Sequence, residues 1–208
     1  MIHPSTERRF ISDAVGFGVV ATADIPRGTL LWCRCLFDIV LTPDQVAVLP
    51  PAYHRIVDIW SYGDPDGNSV LCWDNARFIN HSCEPSMMGV GEDLEIAVRD
   101  IKAGEQITCD YALCNLTDEL PCRCGAPTCR QVIGPDDVLR LGESWEQLRA
   151  DAMALALSVD QPLRPYLLDE ARFLSWAARP DRVPRLRDYH HPRAAAASPA
   201  STHAGSHR

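Results

Sequence analysis

A β-rich domain of several small sheets, followed by a short helical extension, is the fold class that this 208-residue sequence predicts. Residues 15–41, VGFGVVATADIPRGTLLWCRCLFDIVL, are short β-branched and aromatic runs cut by Gly16, Gly18, Pro26 and Gly28, a pattern of strands and tight turns. Further on, PCRCGAPTCR gathers three cysteines into one Pro/Gly-containing loop. From Pro135 the apolar spacing becomes helical.

The elements follow in chain order. TPDQVAVLPPAYHRIVDIWSY opens on Thr-Pro-Asp and continues with apolar residues near helical spacing. It reads as one or two short helices broken at Pro50 and Pro51, inside an insert at about 42–68. SYGDPDGNS is a turn and SVLCW a strand. A strand pair is expected around MMGVGEDLEIAVRDIKAGEQITCDY, with turns at Gly91 to Asp93 and Ala103 to Glu105. The extension, residues 135–178, holds a helix over SWEQLRADAMALALSV, with Asp136 or Asp137 as cap, and a second over LLDEARFLSWAA. Residues 179–208 carry few large apolar side chains and are expected to be disordered. No internal repeat is evident.

Composition sets the surroundings. A hydrophobic share of 46% supports a core of ordinary size. No apolar run approaches the roughly 20 residues that cross a bilayer, and MIHPSTERRF lacks the apolar stretch of a secretory signal, so a cytoplasmic protein with no membrane partner is expected. The formal charge is -8; from Arg179 onward six Arg and two Asp give +4, leaving -12 on residues 1–178. An acidic folded part argues against direct nucleic acid binding and favours cationic partners, although acidity also serves solubility alone. Lysine occurs only at Lys102, which base composition explains without any function.

Nine cysteines is an odd number, better read as metal ligands and buried thiols than as a disulfide framework. Cys122, Cys124 and Cys129 form C-x-C-x4-C around Gly125, and three thiolates so close invite zinc. A closed structural site needs a fourth ligand, and the residues leave it open among Cys33, Cys35, Cys72, Cys83, Cys109, Cys114 or a histidine.

Four stretches stand in a distinctive order: GFG at 16–18 followed by ADIPRGTLL, RFINHSCEP at 77–85, IKAGEQITCDY at 101–111, and CRCGAPTCR. Over about residues 10–134 they resemble the SET-domain lysine methyltransferases with their post-SET zinc motif, in a compact, stand-alone, bacterial-like form. The resemblance implies a SET domain at 1–118 and a post-SET zinc motif at 119–134. Its fold has small sheets and a pseudoknot in which the chain near the DY segment crosses the NHSC segment, an exception to the rule against threading. It nominates Cys83 as the fourth ligand of a structural zinc with Cys122, Cys124 and Cys129. S-adenosylmethionine is expected on Gly16, Phe17, Gly18, Arg77, Phe78, Asn80, His81 and Tyr111. Tyr111 matches the catalytic tyrosine, and with Cys109 it would line the substrate channel. Taken alone, His81 reads as a satisfied core histidine and Tyr111 as an aromatic closing a strand.

Methyl transfer from a sulfonium to an amine is an in-line displacement, so such a protein supplies alignment and a neutral amine. Two positions depart from the family pattern. Ser86 stands where an Asn is common, and its hydroxyl is expected to cap a turn. Cys109 stands where many members carry Phe or Tyr, which leaves a wider channel unless Trp73 or Trp32 fills it. The wider channel suggests higher methylation states, or a small amine or amino acid in place of a protein lysine. A zinc-stapled binding module without catalysis is a further alternative. Asp74 and Asp110 are expected to bond backbone amides or Arg77, and Cys33, Cys35, Cys72 and Cys114 to be buried or strand thiols. Substrate identity and oligomeric state lie outside what the sequence indicates.

Overall fold

The computed structural model describes residues 1–189. Strand β1 (Thr6–Ser12) turns back through Gly16, at φ +78°, into β2 (Gly16–Ala21), and β3 (Leu30–Cys33) follows after a second tight turn. The insert contributes β4 (Ile39–Leu41), α1 (Pro43–Ala47), α2 (Pro51–Trp60), β5 (Ser61–Gly63) and β6 (Ser69–Leu71). Thr42 and Gln45 form a capping box at the start of α1, and the break between the two helices falls at the expected prolines. Then come β7 (Asn80–His81), β8 (Met87–Gly89), β9 (Leu94–Ala97) and β10 (Gln106–Cys109). Strands β11 (Leu120–Pro121) and β12 (Val132–Ile133) frame the cysteine loop, and α3 (Asp137–Met153) and α4 (Glu170–Ala178) close the described chain with short 3-10 turns.

Three small sheets and the β11-β12 hairpin result: β1-β2-β10-β7, β3-β9-β8 and β4-β6-β5. In the first, β10 runs parallel to β7 with Thr108 opposite Asn80 and Cys109 opposite His81. That pairing sets the NHSC segment beside the CDY segment. Ser86, expected as a turn cap, is instead fully buried: its N–H donates to the Thr108 carbonyl at 3.0 Å and its hydroxyl accepts from the Thr108 N–H at 2.9 Å.

The β3-β9-β8 sheet is buried on both faces, and the alternation of side chains, shifted by one residue at an irregularity in β3, divides the core between them. Leu30, Met88, Leu94 and Ile96 face the C-terminal helices, where they meet Trp145, Met153, Phe173 and Leu186. Leu31, Trp32, Met87 and Ala97 face the other way, against Val19, Ile79 and Ile107. Each large side chain so buried contributes roughly 1.5–3 kcal/mol.

One expectation for the C-terminal part holds in part and one is corrected. Asp136 is the N-cap residue of α3 as expected but makes no side-chain capping bond; the Asp137 carboxylate turns to Arg130, whose Nε lies at 3.2 Å, and to Arg140. Disorder does not begin at 179, since Pro180–Arg182 and Leu186–Asp188 are 3-10 turns and Leu186 is 1% exposed. The reason is a polar anchor that composition does not register. Arg149 of α3, itself 2% exposed, donates to the Pro184 carbonyl at 2.8 Å and to the Tyr189 hydroxyl, while Glu146 accepts from the Leu186 N–H at 2.6 Å. Residues 190–208 of the expected disordered tail lie outside the described residues. Among the described residues no helix is long and apolar enough to cross a membrane.

Candidate active site and metal centre

The β11-β12 hairpin brings the cysteine loop back over β7. Cys83 Sγ lies 3.7 Å from Cys122 Sγ, and Cys129 Sγ lies 3.7 Å from the same sulfur. Sulfurs held about 2.3 Å from one ion at the corners of a tetrahedron sit about 3.8 Å apart, so these edges have the length that a zinc site needs. Cys124 joins them, its sulfur accepting the Cys83 N–H at 3.4 Å. Burial works to raise the Cys124 thiol, but the Cys83 and Ala126 amides and the neighbouring thiols outweigh it and bring it down to about 7. A thiol that ionises near neutrality is a ready ligand.

His81 Nε2 also approaches this cluster, 3.4 Å from Cys83 Sγ, and His81, Cys83, Cys122 and Cys124 place their donor atoms within 4.8 Å of one another. The other ring nitrogen decides its role. His81 Nδ1 accepts the Tyr111 N–H at 3.2 Å, which puts the imidazole proton on Nε2, aimed at sulfur. In that tautomer the ring donates to the Cys83 sulfur and has no lone pair to offer an ion.

A buried ion pair reinforces the junction. Asp110, 0% exposed, caps the turn at Ala112 and takes both Arg130 guanidinium nitrogens, at 2.7 and 2.8 Å. Arg130 follows the last cysteine of the loop, and its N–H donates to Cys83 Sγ at 3.4 Å. Both aspartates bond backbone amides, one of the two expected partners, Asp110 at Ala112 and Asp74 at Ala76 and Ile2, while the cation that Asp110 takes is Arg130 and not Arg77. Nothing in the sequence spacing singled out Arg130; a charged residue beside a metal loop is common.

On the outer side, Asn80 Nδ2 donates to the Phe17 carbonyl at 3.0 Å and to Gln106 Oε1 at 2.9 Å. This joins the GFG turn to the NHSC strand. Phe17 and Phe78 meet edge to face at 6.3 Å, and the Arg8 guanidinium lies over both rings. A Cβ at Gly18 would fall 2.3 Å from Gln106 Oε1 and 2.8 Å from Asn80 Nδ2, so this glycine makes room for its own neighbours. Gly16 has open space where a Cβ would stand.

Behind Tyr111 opens a cavity of about 300 Å3, lined among others by Trp32, Tyr62, Cys72, Glu95, Cys109 and Tyr111. The Tyr111 hydroxyl donates to the Ile79 carbonyl at 3.0 Å, and burial holds its pKa above the usual phenol range. The Cys109 thiol is raised as well, first by Cys114 and then by burial, so both side chains are neutral. Trp32 stands in the cavity wall as expected, but Trp73 is 46% exposed and packs on Phe37. The far wall includes Leu186 and Tyr189 from the segment that Arg149 anchors. Glu95, Tyr62 and Tyr189 were not singled out in the sequence. The one available signal was an acid inside the otherwise apolar strand LEIA.

The site thus combines a tyrosine hydroxyl in a cavity wall, a backbone knot of GFG with Asn80, and a cysteine cluster behind. Residues 16–112 match the model of the SET domain family. The histone-lysine N-methyltransferase ash1 of Drosophila melanogaster is 44% identical over 151 residues, covering 64% of this chain and 6% of that protein. The H3 lysine-4 specific histone-lysine N-methyltransferase of Schizosaccharomyces pombe is 47% identical over 62 residues, 26% of this chain and 7% of that protein. The histone-lysine N-methyltransferase EHMT1 of Homo sapiens is 32% identical over 136 residues, 56% of this chain and 10% of that protein. The chain spans a tenth or less of the length of these relatives. Over residues 16–112, a little under half of its length, this chain is similar to the SET domain family.

Proposed function

We propose that this chain is an S-adenosylmethionine-dependent N-methyltransferase of protein lysine side chains, with one structural zinc ion behind its active site. The observation that carries the reading is Tyr111, whose hydroxyl lines the cavity while its backbone N–H is held by His81. S-adenosylmethionine, when bound, supplies a methyl group on a cationic sulfur. The fit rests on Gly16, which leaves space beside the backbone, and on the Phe17 and Phe78 rings next to Asn80 and His81. Arg77, whose guanidinium lies over Phe78, lies at the boundary between this surface and the cavity.

The chain's own residues would act as follows. The apolar cavity wall strips water from the acceptor amine and favours its neutral form. The Tyr111 hydroxyl, kept protonated by burial and fixed by the Ile79 carbonyl, orients the nitrogen lone pair along the line of transfer. Cys109 leaves beside it the room that an aromatic side chain would take.

The zinc ligands we propose are Cys83, Cys122, Cys124 and Cys129, with His81 donating to the Cys83 sulfur. Zinc would then fasten the cysteine loop to β7, and through His81 to the backbone of Tyr111. The test of the reading is to give zinc-loaded protein methyl-labelled S-adenosylmethionine and fractionated cell extract. Label in precipitable protein, mapped to lysine, is the expected result. Label confined to the small-molecule filtrate moves the reading to a small amine.

A further inference from the structure

The cavity behind Tyr111 contains polar groups that the reaction as described does not use. Glu95 sits on β9 directly opposite Trp32 on β3, so the two side chains share one face of the sheet. A β-bulge between Leu30 and Trp32 produces this register; without the extra residue, Leu31 would stand opposite Glu95. On its other side Glu95 faces Gly89, and the absence of a side chain there leaves the space over the carboxylate open.

Three groups at this spot lack partners. The Glu95 carboxylate has no hydrogen bond or ion pair among the described residues. The Trp32 indole N–H, in a side chain 5% exposed, has no acceptor, and the buried Tyr62 hydroxyl has no partner either. Trp32 and Tyr62 meet edge to face at 5.8 Å and 89°, and both residues line the cavity. Buried groups of this kind cost stability when left unsatisfied, so a convergent set of them in a cavity calls for a guest.

We propose that Glu95, with the Tyr62 hydroxyl, receives the cationic nitrogen of an alkylammonium guest, and so is a specificity-determining residue of this pocket. The identification of that guest with the methyl acceptor rests on the methyltransferase reading; the receptor itself does not. An unpaired carboxylate among apolar walls selects a cation over a neutral chain of the same length. Glu95 pairs with Trp32 across the sheet and Tyr62 packs on that indole, so one carboxylate and one phenol oxygen belong to this spot, with Asp58, Asp64 and Glu92 elsewhere in the cavity lining. Two such acceptors suit the three donors of an ammonium better than the five of a guanidinium. On deprotonation the ammonium N–H electron pair stays on nitrogen and the proton passes to a Glu95 oxygen. A neutral amine and a neutral acid remain, hydrogen-bonded. Desolvation, which pushes the Glu95 carboxyl up to about 7, narrows the gap that this transfer must cross.

The experiment uses n-butylammonium, the end of a lysine side chain, as probe, followed through the Trp32 indole N–H signal in 15N-labelled protein. The wild type is expected to bind it at least tenfold more tightly than 1-butanol or n-propylguanidinium, and Glu95→Gln to lose that preference. Gly89→Leu, which fills the space opposite the carboxylate with its charge intact, is expected to exclude the probe. Equal binding by wild type and Glu95→Gln, or a stronger response to the alcohol or guanidinium, overturns the proposal. Ammonium binding that persists in a protein unable to transfer methyl groups supports the receptor and overturns the methyltransferase reading instead.

Discussion

The cysteine cluster and the cavity behind Tyr111 lie on opposite sides of the same few residues, and they treat their polar atoms in opposite ways. In the cluster Cys122 Sγ stands 3.7 Å from the sulfurs of both Cys83 and Cys129, the spacing of a metal tetrahedron, and amides of Cys83 and Arg130 point at sulfur. In the cavity, the Trp32 indole and the Tyr62 hydroxyl point at nothing. The first arrangement would close around a small ion that stays. The second has unpartnered groups, which suits the proposed guest that comes and goes. His81 and Tyr111 connect the two, the imidazole touching sulfur at one nitrogen and the Tyr111 amide at the other.

The sharpest way to break this contrast is to remove the ion. A strong chelator is expected to unfold residues 119–134, since structural zinc sites contribute about 10 kcal/mol or more to the folded state. One zinc per chain by mass spectrometry, and its loss in Cys122→Ser but not in Cys35→Ser, checks the ligand set. Next in size is the buried ion pair. Arg130→Met leaves the Asp110 carboxylate buried without its main partner and should destabilise the protein by about 3–5 kcal/mol in chemical denaturation.

Glu95→Gln should act in the reverse direction. The folded carboxyl stands at about 7 against an ordinary 4.5, so the folded state holds a proton that the unfolded state releases. Stability is therefore greatest below pH 4.5 as far as this group is concerned, and falls as pH rises through about 7. At pH 8 the loss amounts to about 3 kcal/mol, and Glu95→Gln should recover most of it while matching the wild type near pH 5. Denaturant midpoints at the two pH values measure this; the nearby Tyr62, Cys72 and Cys109, all raised by their surroundings, stay neutral throughout.

Tyr111→Phe should lower kcat by about 100-fold, or about 2.7 kcal/mol, with the affinity for S-adenosylmethionine nearly unchanged, as titration calorimetry would show. Equal loss of both would remove Tyr111 from the chemistry. The smallest effect is expected from Cys109→Tyr, which should shift the products toward fewer methyl groups with little change in stability. Mass spectra of the methylated substrate read it directly.

The legible parts were those whose physics is local. The prolines at 50 and 51 broke the insert helix where they stand, because a proline ring excludes the helix at the preceding residue wherever the segment is placed. The C-x-C-x4-C loop was recognisable because a metal site needs its donors in number and proximity, and three lie within eight residues. The motif order pointed to Tyr111 and Asn80, and the structure brings both to one place. The anchoring of Leu186 and Tyr189 was not legible. It depends on a single arginine of α3 reaching across to a segment whose composition alone suggests disorder.

By itself, the sequence determined the strands and their breaks, the insert helices, the cysteine loop and the set of reactive residues, since periodicity, proline, glycine and thiol spacing act within a few positions of the chain. Only the tertiary structure decided which residues meet. The parallel pairing of β10 with β7 set His81 between sulfur and Tyr111. The bulge in β3 set Trp32 rather than Leu31 opposite Glu95. In a pleated sheet a one-residue difference in register carries a side chain from one face to the other, and neighbouring positions in the chain hold no record of that choice.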